Sequence, residues 1–336
     1  MKIGIIGLPN VGKSSLFNLL TRADAQVAKF PFTTIERNVG VVIIPDERLD
    51  RIVETIKSPK KTYAHIDFVD IAGLIKGAAK GEGLGNKFLA HIRDVDLILH
   101  VLRCFRDPDI PHVDTEINPA RDYDIVRSEL FLADLEIVER RLEKIKKKFE
   151  AREEFETLSR IKADLEKGIR PTEKINDLPL LTVIPEIVVL NFDEDGKFKT
   201  DFPGYRISVK LEEDIQDFSD GERMELRKEA GLAPEGIQGL LKRCLDQLSM
   251  ITFFTIKGEE SRAWLIKSGT RVVDAAGKIH SDLKEGFIKA EILKYEDLLK
   301  AKSFAHAHEL GLTKIEGKEY IVQDGDIVLI KFKVNK

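Results

Sequence analysis

Hydrophobic residues form short runs that alternate with stretches of helical spacing through much of the chain. Between several of these runs, apolar residues recur at helical intervals, as in Leu16, Leu19 and Leu20. Strands alternating with helices predict an α/β fold with a mainly parallel sheet, whose ligands bind at the carboxyl ends of its strands. The predicted strands are residues 2–6, 39–44, 64–70, 97–102 and 184–190.

A charged segment at residues 127–174 has a different pattern, with 13 Lys and Arg, 12 Asp and Glu, and no Gly before Gly168. Two heptad-like seams with a polar break at residues 151–154 predict an antiparallel helical hairpin. One long solvated helix is the alternative. The seams are Phe131, Leu135, Val138, Leu142, Ile145 and Phe149, then Phe155, Leu158, Ile161 and Leu165.

From about Met250 the pattern changes to short apolar runs separated by turns that contain Gly, such as QDGD at residues 323–326. This pattern of short apolar runs and turns predicts a small, mostly β domain. The predicted boundaries are 1–125 with 176–250 for the α/β domain, 126–175 for the helical insertion, and 251–336 for the β domain.

Composition narrows the class of protein. The chain has 336 residues, and 54 Lys and Arg against 58 Asp and Glu give a net charge of −4, which excludes a grossly basic chain. Cys104 and Cys244 are isolated, so structural zinc is not expected. No apolar run approaches the length of about 20 residues that spans a bilayer. The amino terminus lacks a cleavage site for a signal peptide, so we expect a cytoplasmic protein.

The segment GLPNVGKS at residues 7–14 fits the phosphate-binding pattern GxxxxGK[ST] at every required position. It follows a predicted strand and opens an amphipathic helix, which is the context that the motif needs. Its glycines let backbone N–H groups face the phosphates, Lys13 supplies a cation, and the Ser14 hydroxyl is placed to ligate Mg²⁺. This motif predicts a nucleotide site.

Two further motifs predict the rest of a metal and phosphate site. Asp70 ends a predicted strand and begins DxxG, which is typical of an Mg²⁺-binding carboxylate followed by a Gly near the γ-phosphate. Thr34, in FPFTTIE at residues 30–36, lies between these two motifs and could complete the metal shell. A plain turn is the alternative for Thr34.

The sequence where a base-reading motif is expected departs from that of GTPases. Such enzymes carry Asn-Lys-x-Asp after the next-to-last strand, whereas residues 191–194 here are NFDE. Glu194 is one methylene longer than Asp, and Phe192 replaces the Lys, so guanine selection should be relaxed or redirected. Ser208 follows another short strand and either contributes backbone donors to the base or is an ordinary turn residue.

The distance between motifs supports an insertion in the P-loop domain. Asp70 and Asn191 are separated by 121 positions. Two βα units need about 60 residues. The surplus matches the length of the charged helical segment.

Together these motifs resemble one family over nearly the whole chain, the Obg-like ATPases, known in bacteria as YchF. The matching segments are GLPNVGKSSLFN, FPFTTIE, FVDIAGLIKGAAKGEGLGNKFL, the NxxE at residues 191–194, RAWLI and YIVQDGDIV. The resemblance implies a Ras-like G domain, a coiled-coil insertion and a C-terminal β-grasp-like TGS domain. It also implies an ATPase that arose from a GTPase scaffold and associates with ribosomes.

The resemblance also assigns roles to individual residues. It implies that Ser14 and Thr34 ligate Mg²⁺ and that the backbone of Phe192 contacts adenine. The chain departs from the family in a shorter helical insertion, which puts partner contacts of the hairpin tip in doubt, and in Ser15, where Thr is common. The implied phosphate-binding residues are Asn10, Val11, Gly12, Lys13, Ser14 and Ser15.

The catalytic group is the open question. Leu74 follows DxxG where Ras-like enzymes have a water-orienting Gln, so we expect slow turnover. His112 is the polar candidate to replace that Gln. The alternative is that His112 is a surface-loop residue without a catalytic role. Asn10 resembles the position that ligates K⁺ in potassium-stimulated relatives.

We therefore expect a monomeric ATP-hydrolysing switch that uses Mg²⁺ and binds the large ribosomal subunit or the 70S ribosome. Its contacts with rRNA would be made through the helical arm and the TGS domain. The alternatives are an Obg-type GTPase and a non-catalytic, nucleotide-gated scaffold for RNA or ribosomal protein.

Overall fold

The computed structural model describes residues 1–22, 39–71, 84–112, 114, 116–146, 152–173, 175 and 177–333. In this part of the chain the strands are β1 (Lys2–Ile6), β2 (Val39–Ile44), β3 (Lys60–Thr62), β4 (Ala64–Asp70), β5 (Leu97–Cys104), β6 (Glu186–Phe192), β7 (Tyr205–Ile207), β8 (Met250–Lys257), β9 (Glu260–Lys267), β10 (Phe287–Lys294), β11 (Lys314–Glu316) and β12 (Asp326–Phe332). The helices are α1 (Lys13–Arg22), α2 (Glu47–Ile56), α3 (Leu84–Arg93), α4 (Pro119–Ile145), α5 (Arg152–Glu166), α6 (Val209–Asp214), α7 (Asp220–Glu229), α8 (Gly236–Gln247), α9 (Val272–Ile279), α10 (Ser281–Glu285), α11 (Tyr295–Ala301) and α12 (Phe304–Glu309).

The first sheet has the strand order β2-β4-β1-β5-β6-β7. Its pairs β1 with β4, β1 with β5, β5 with β6 and β6 with β7 are all parallel. Every residue of the central strand β5 is buried, as expected for a strand covered on both faces. The carboxyl ends of β1, β4, β5 and β6 therefore lie along one edge of the sheet, where the nucleotide motifs begin.

The hydrophobic runs locate these strands well, although β5 and β6 both end two residues later than predicted. The predicted run 184–190 corresponds to β6, which begins at Glu186 and ends at Phe192. Pro185 has no N–H and cannot donate to the ladder, although its carbonyl accepts from the Ile98 N–H at 2.9 Å. Proline thus delays the strand, and the ladder continues to Phe192, which pairs with Cys104.

The charged segment forms two helices, α4 and α5, that share an apolar core of Val138, Ile145, Leu158, Ile161 and Leu165. Ion pairs of Arg141 with Glu154 and of Glu139 with Lys162 show that the helices run antiparallel. The predicted hairpin is confirmed for the described residues, while Phe149 lies outside them. No helix in the described part of the chain is long and apolar enough to cross a lipid bilayer.

The first helix of the hairpin begins earlier than the sequence pattern indicates. Asn118 caps it by accepting the Arg121 N–H at 3.1 Å, and Pro119 occupies its first turn. Farther along the same helix, Asp134 accepts the N–H groups of Leu181 and Thr182, which precede β6, at 2.9 and 2.8 Å. One helix therefore serves both the α/β domain and the arm.

The second sheet has the strand order β11-β10-β12-β8-β9-β3. Strands β8 and β9 are antiparallel, as are β10 with β11 and β10 with β12, whereas β12 with β8 and β3 with β9 are parallel. Its core contains Phe253, Val272, Ala276 and Ile292. One of the short apolar runs expected here, EYIV at residues 319–322, does not form a strand, and Ile321 makes only an isolated bridge to Arg271.

The chain divides into two compact units, residues 1–42 with 67–244, and residues 43–66 with 245–336. The sequence-based boundaries differ because they assign residues 43–66 to the α/β domain. The cause is long-range pairing, since β3 extends the second sheet beside β9. In the same unit Arg48 of α2 donates to Asp324 at 2.6 Å and lies 5.4 Å from the centre of the Phe254 ring.

Candidate functional site

The phosphate-binding loop connects β1 to α1. Gly7 and Gly12 have φ values of 149° and 97°, where a side chain is strained, and a Cβ would overlap the Val101 carbonyl oxygen or the Asn191 amide. Asn10 also has a positive φ, 62°. Both glycines of the motif are thus required by backbone geometry, and the loop passes close to β5 and β6.

Lys13 is the cation of this loop. Its side chain is only 7% exposed, and its Nζ donates to the Leu8 carbonyl oxygen at 2.7 Å across the loop. Burial lowers the pKa of Lys13 to about 8, and the Asp70 carboxylate partly opposes that decrease. A desolvated ammonium with a single carbonyl acceptor fits a place where phosphate oxygens are meant to supply the remaining hydrogen bonds.

The candidate Mg²⁺ ligands Ser14 and Asp70 lie together. The Ser14 hydroxyl donates to Asp70 Oδ2 at 2.7 Å, and Asp70 Oδ1 is buried with no hydrogen-bond partner among the described residues. A hydroxyl oxygen beside a buried, unsatisfied carboxylate oxygen is a donor set that suits Mg²⁺, which uses few protein ligands together with phosphate and water. Thr34, the third candidate ligand, lies outside the described residues.

Asn191 joins three parts of the site at the end of β6. Its Nδ2 donates to the Val11 carbonyl at 3.0 Å, and its Oδ1 accepts the Val209 N–H at 3.1 Å. The side chain therefore ties the phosphate-binding loop to the start of α6. The buried Ser208 caps that helix by accepting the Leu211 N–H at 3.2 Å, so its hydroxyl is occupied locally.

The two residues that distinguish NFDE from NKxD occupy different environments. The Phe192 side chain is buried in an apolar cluster with Leu102 and Leu190, and the Arg206 guanidinium lies 4.1 Å from its ring centre. Glu194 forms an ion pair with Lys210, which lowers the pKa of the Glu194 carboxyl. In this position the carboxylate already has a cationic partner from α6.

Most of the predicted site residues line one cavity of about 560 Å³. It is lined by Asn10, Gly12, Lys13, Ser14, Ser15, Phe105, Arg106, Asp107, Ile110, Asn191, Phe192, Asp193, Glu194, Val209, Lys210 and Glu213. Val11, Asp70 and Ser208 are not in the lining. The sequence interpretation did not identify the wall formed by Phe105, Arg106, Asp107 and Ile110. The sequence could have predicted this wall, because the segment directly follows the buried strand β5 at the carboxyl edge of the sheet, where ligands bind.

His112, the catalytic candidate, lies outside the cavity lining. Its Nε2 is 3.0 Å from Asp122 Oδ2 and its Nδ1 is 3.1 Å from the Asp114 backbone nitrogen, which donates to it. The imidazole is 6% exposed. In this arrangement His112 connects the loop after β5 to α4. Leu74 lies outside the described residues.

Comparison with known proteins identifies relatives along nearly the whole chain. A family model described as 50S ribosome-binding GTPase matches residues 2–148, and a model for the C-terminal region of YchF-type GTPases, described as a protein of unknown function, matches residues 250–333. The ribosome-binding ATPase YchF of Bacillus subtilis is 41% identical, covering 98% of this chain and 99% of the relative. The protein of the same name from Escherichia coli O157:H7 is 40% identical, covering 99% of each.

Solved structures agree with this fold. The Schizosaccharomyces pombe YchF GTPase has a TM-score of 0.83 at 32% identity, covering 98% of this chain and 97% of that one. A GTP binding protein from Pyrococcus horikoshii OT3 has a TM-score of 0.62 at 19% identity and shows likeness of fold alone. The predicted P-loop α/β fold is confirmed. The names of the relatives differ on the nucleotide, since some are called ATPases and others GTPases.

Proposed function

This chain belongs to the YchF family, and from that premise we propose that it is an ATP-binding and ATP-hydrolysing P-loop switch that acts with the ribosome. The phosphates bind at residues 10–15, and the base binds near Asn191, Phe192 and Glu194. The second unit corresponds to the β-grasp-like TGS domain, and residues 126–175 to the helical arm.

The observation that carries the choice of ATP is the ion pair between Glu194 and Lys210 on the cavity wall. A guanine-selective site needs a carboxylate that accepts from guanine N1–H and its amino group. Here Lys210 competes for that carboxylate, so guanine would have to displace a cation. Adenine has no N1–H to donate, and it loses nothing when the carboxylate is occupied.

The metal site is proposed on Ser14 and Asp70, with Thr34 as the third residue. A bound Mg²⁺ would neutralise charge on the phosphates. Lys13 supplies the fixed protein cation, and Asn191 holds the phosphate-binding loop in place. Because Leu74 cannot orient water through its side chain, we propose slow intrinsic turnover, with His112 as the candidate polar group and K⁺ near Asn10 as a further cofactor.

The decisive experiment compares the affinities for ATP and GTP side by side, with Mg²⁺ and with either K⁺ or Na⁺. We expect ATP to bind more tightly. Lys210→Ala, which frees Glu194, should shift the ratio toward GTP. Lys197→Ala is the matched control, because Lys197 is also an exposed lysine paired with a carboxylate, Asp195, but lies outside the cavity lining. A parent that binds GTP about tenfold more tightly, or about 1.4 kcal/mol, contradicts the adenine assignment.

Ribosome binding is proposed from family membership, because the relatives are named ribosome-binding ATPases. Cosedimentation with large subunits and with 70S ribosomes, in ATP, ADP and no nucleotide, tests it. Turnover that rises on adding ribosomes supports the switch. Binding without any hydrolysis would support the non-catalytic scaffold instead. We further propose a cytoplasmic monomer, which size-exclusion chromatography with light scattering tests for the oligomeric state.

A further inference from the structure

Arg103, next to last in β5, is one of the largest fully buried side chains of the described residues, with 2% exposed. The three hydrogen bonds that its side chain makes to described residues all go to carbonyl oxygens of the loop that follows. Nε donates to Phe105 at 3.1 Å, and Nη2 donates to Asp107 at 3.3 Å and to Ile110 at 3.0 Å. The guanidinium also lies 4.4 Å from the centre of the Phe105 ring.

Burying the Arg103 guanidinium in this way costs free energy, which the hydrogen bonds to the loop partly offset. Within the described residues no carboxylate lies within ion-pair distance of the guanidinium, and its Nη1 is buried without a hydrogen-bond partner. Burial lowers the pKa of Arg103, and the charges of Asp107 and Asp122 only partly oppose that decrease. A buried cation held by three carbonyls of one short loop fixes the path of that loop, since each carbonyl must point inward.

The loop held by Arg103 is a wall of the nucleotide cavity, contributing Phe105, Arg106, Asp107 and Ile110. Its far end reaches the phosphate-binding loop, where Asn10 Nδ2 donates to the Pro111 carbonyl at 3.0 Å. Glu194 raises the pKa of its partner Lys210, and Asp107 makes a smaller contribution in the same direction. The wall begins beside NFDE, because Cys104 at the end of β5 pairs with Phe192 at the end of β6.

We propose that Arg103 is a positioning residue that holds loop 105–110 as the wall against which the nucleoside part of the nucleotide binds. The inference rests on the proposed nucleotide function and adds a determinant of nucleoside recognition outside the NFDE motif. Phosphate binding depends on Lys13 and the backbone N–H groups of residues 10–15, whereas the loop reaches this segment through the Asn10 side chain. Loss of Arg103 should therefore weaken binding of the nucleoside and leave binding of the phosphates intact.

The test measures two ligands, ATP and inorganic tripolyphosphate, both with Mg²⁺, on the full-length protein. For Arg103→Met we expect about tenfold weaker ATP binding, equivalent to about 1.4 kcal/mol, with tripolyphosphate affinity within about twofold of the parent. Arg103→Lys keeps the charge but lacks the planar fork, and it should recover part of the ATP affinity. A defect that is only structural would lower both affinities together.

Arg48→Met is the matched control, because Arg48 also lies over an aromatic ring, Phe254, but belongs to the second unit. It should lower thermal stability without changing either affinity. If the Arg103→Met protein does not fold, the comparison is made on Arg103→Lys alone. Equal losses for ATP and tripolyphosphate, or no loss of ATP affinity, overturn the inference while the parent still binds ATP. A parent that binds no nucleotide overturns the proposed function itself.

Discussion

Raising the pH from 7 to 9 should weaken nucleotide binding through one residue, Lys13. Burial lowers its pKa to about 8. Phosphate oxygens beside the ammonium would favour the charged form, so the pKa in the complex must be higher than in the free protein. The binding energy from Lys13 is therefore fully present below about pH 8 and is lost as the pH rises above that value.

The magnitude follows from the charged fraction of Lys13. With a pKa of about 8, about nine-tenths of the protein carries the ammonium at pH 7 and about one-tenth at pH 9. If the pKa in the complex lies well above 9, affinity falls about tenfold between these pH values, or about 1.4 kcal/mol. At pH 8, binding should take up about half a proton per nucleotide.

Titration calorimetry with Mg²⁺ and ADP, which avoids hydrolysis, measures both quantities when it is repeated in buffers of different ionisation enthalpy. Lys13→Met is the control, because it removes the titrating ammonium and should bind weakly with little pH dependence in this range. Cys104 and Tyr205 do not interfere, since burial raises the pKa of each to about 12. An affinity that stays constant from pH 7 to pH 9 in the parent, or the same slope in Lys13→Met, would refute the reasoning.

Further substitutions test the other parts of the site. Ser14→Ala should raise the Mg²⁺ concentration needed for half-maximal ATP binding, and titration with Mg²⁺ measures it; an unchanged requirement argues against the metal role. Asn191→Ala removes two buried hydrogen bonds and should lower the free energy of unfolding by about 1–3 kcal/mol, measured by urea denaturation. Phe192→Lys, which restores the Lys of NKxD, places a second cation beside Arg206 in an apolar cluster, so we expect a loss of about 3 kcal/mol in stability rather than a clean change of base preference. His112→Ala should lower ATP hydrolysis at least about tenfold with ATP affinity within about twofold; parental turnover, with and without ribosomes, would leave His112 only its structural contacts with Asp114 and Asp122.

The sequence was sufficient to predict those features that depend only on residues near one another in the chain. The phosphate-binding loop is a strand, a turn and a helix in succession, so the glycines at positions 7 and 12 could be read before their positive φ values were known. Strand β5 was evident because six of its eight buried residues are apolar. The helical arm was evident because its seam repeats at heptad spacing.

Contacts between distant segments could not be read in this way. Glu194 was recognised as one methylene longer than Asp, but its ion pair with Lys210 depends on where α6 begins relative to β6. Arg103 looks like a polar residue that interrupts an apolar strand, and nothing in its neighbours indicates that three loop carbonyls turn toward it. His112 was predicted from its polarity, yet only the fold decides that its Nε2 faces Asp122.

The sequence by itself determined the main strands of the first sheet, the helical arm and the phosphate-binding loop, because each depends on backbone preference and hydrophobic period over neighbouring residues. The tertiary structure alone decided which residues share the cavity wall and that β3 joins β9, about 200 positions away, in the second sheet. The physical reason is that strand pairing and cavity lining are set by non-local packing. Residues without any pattern in common along the chain become neighbours only when the sheets are assembled.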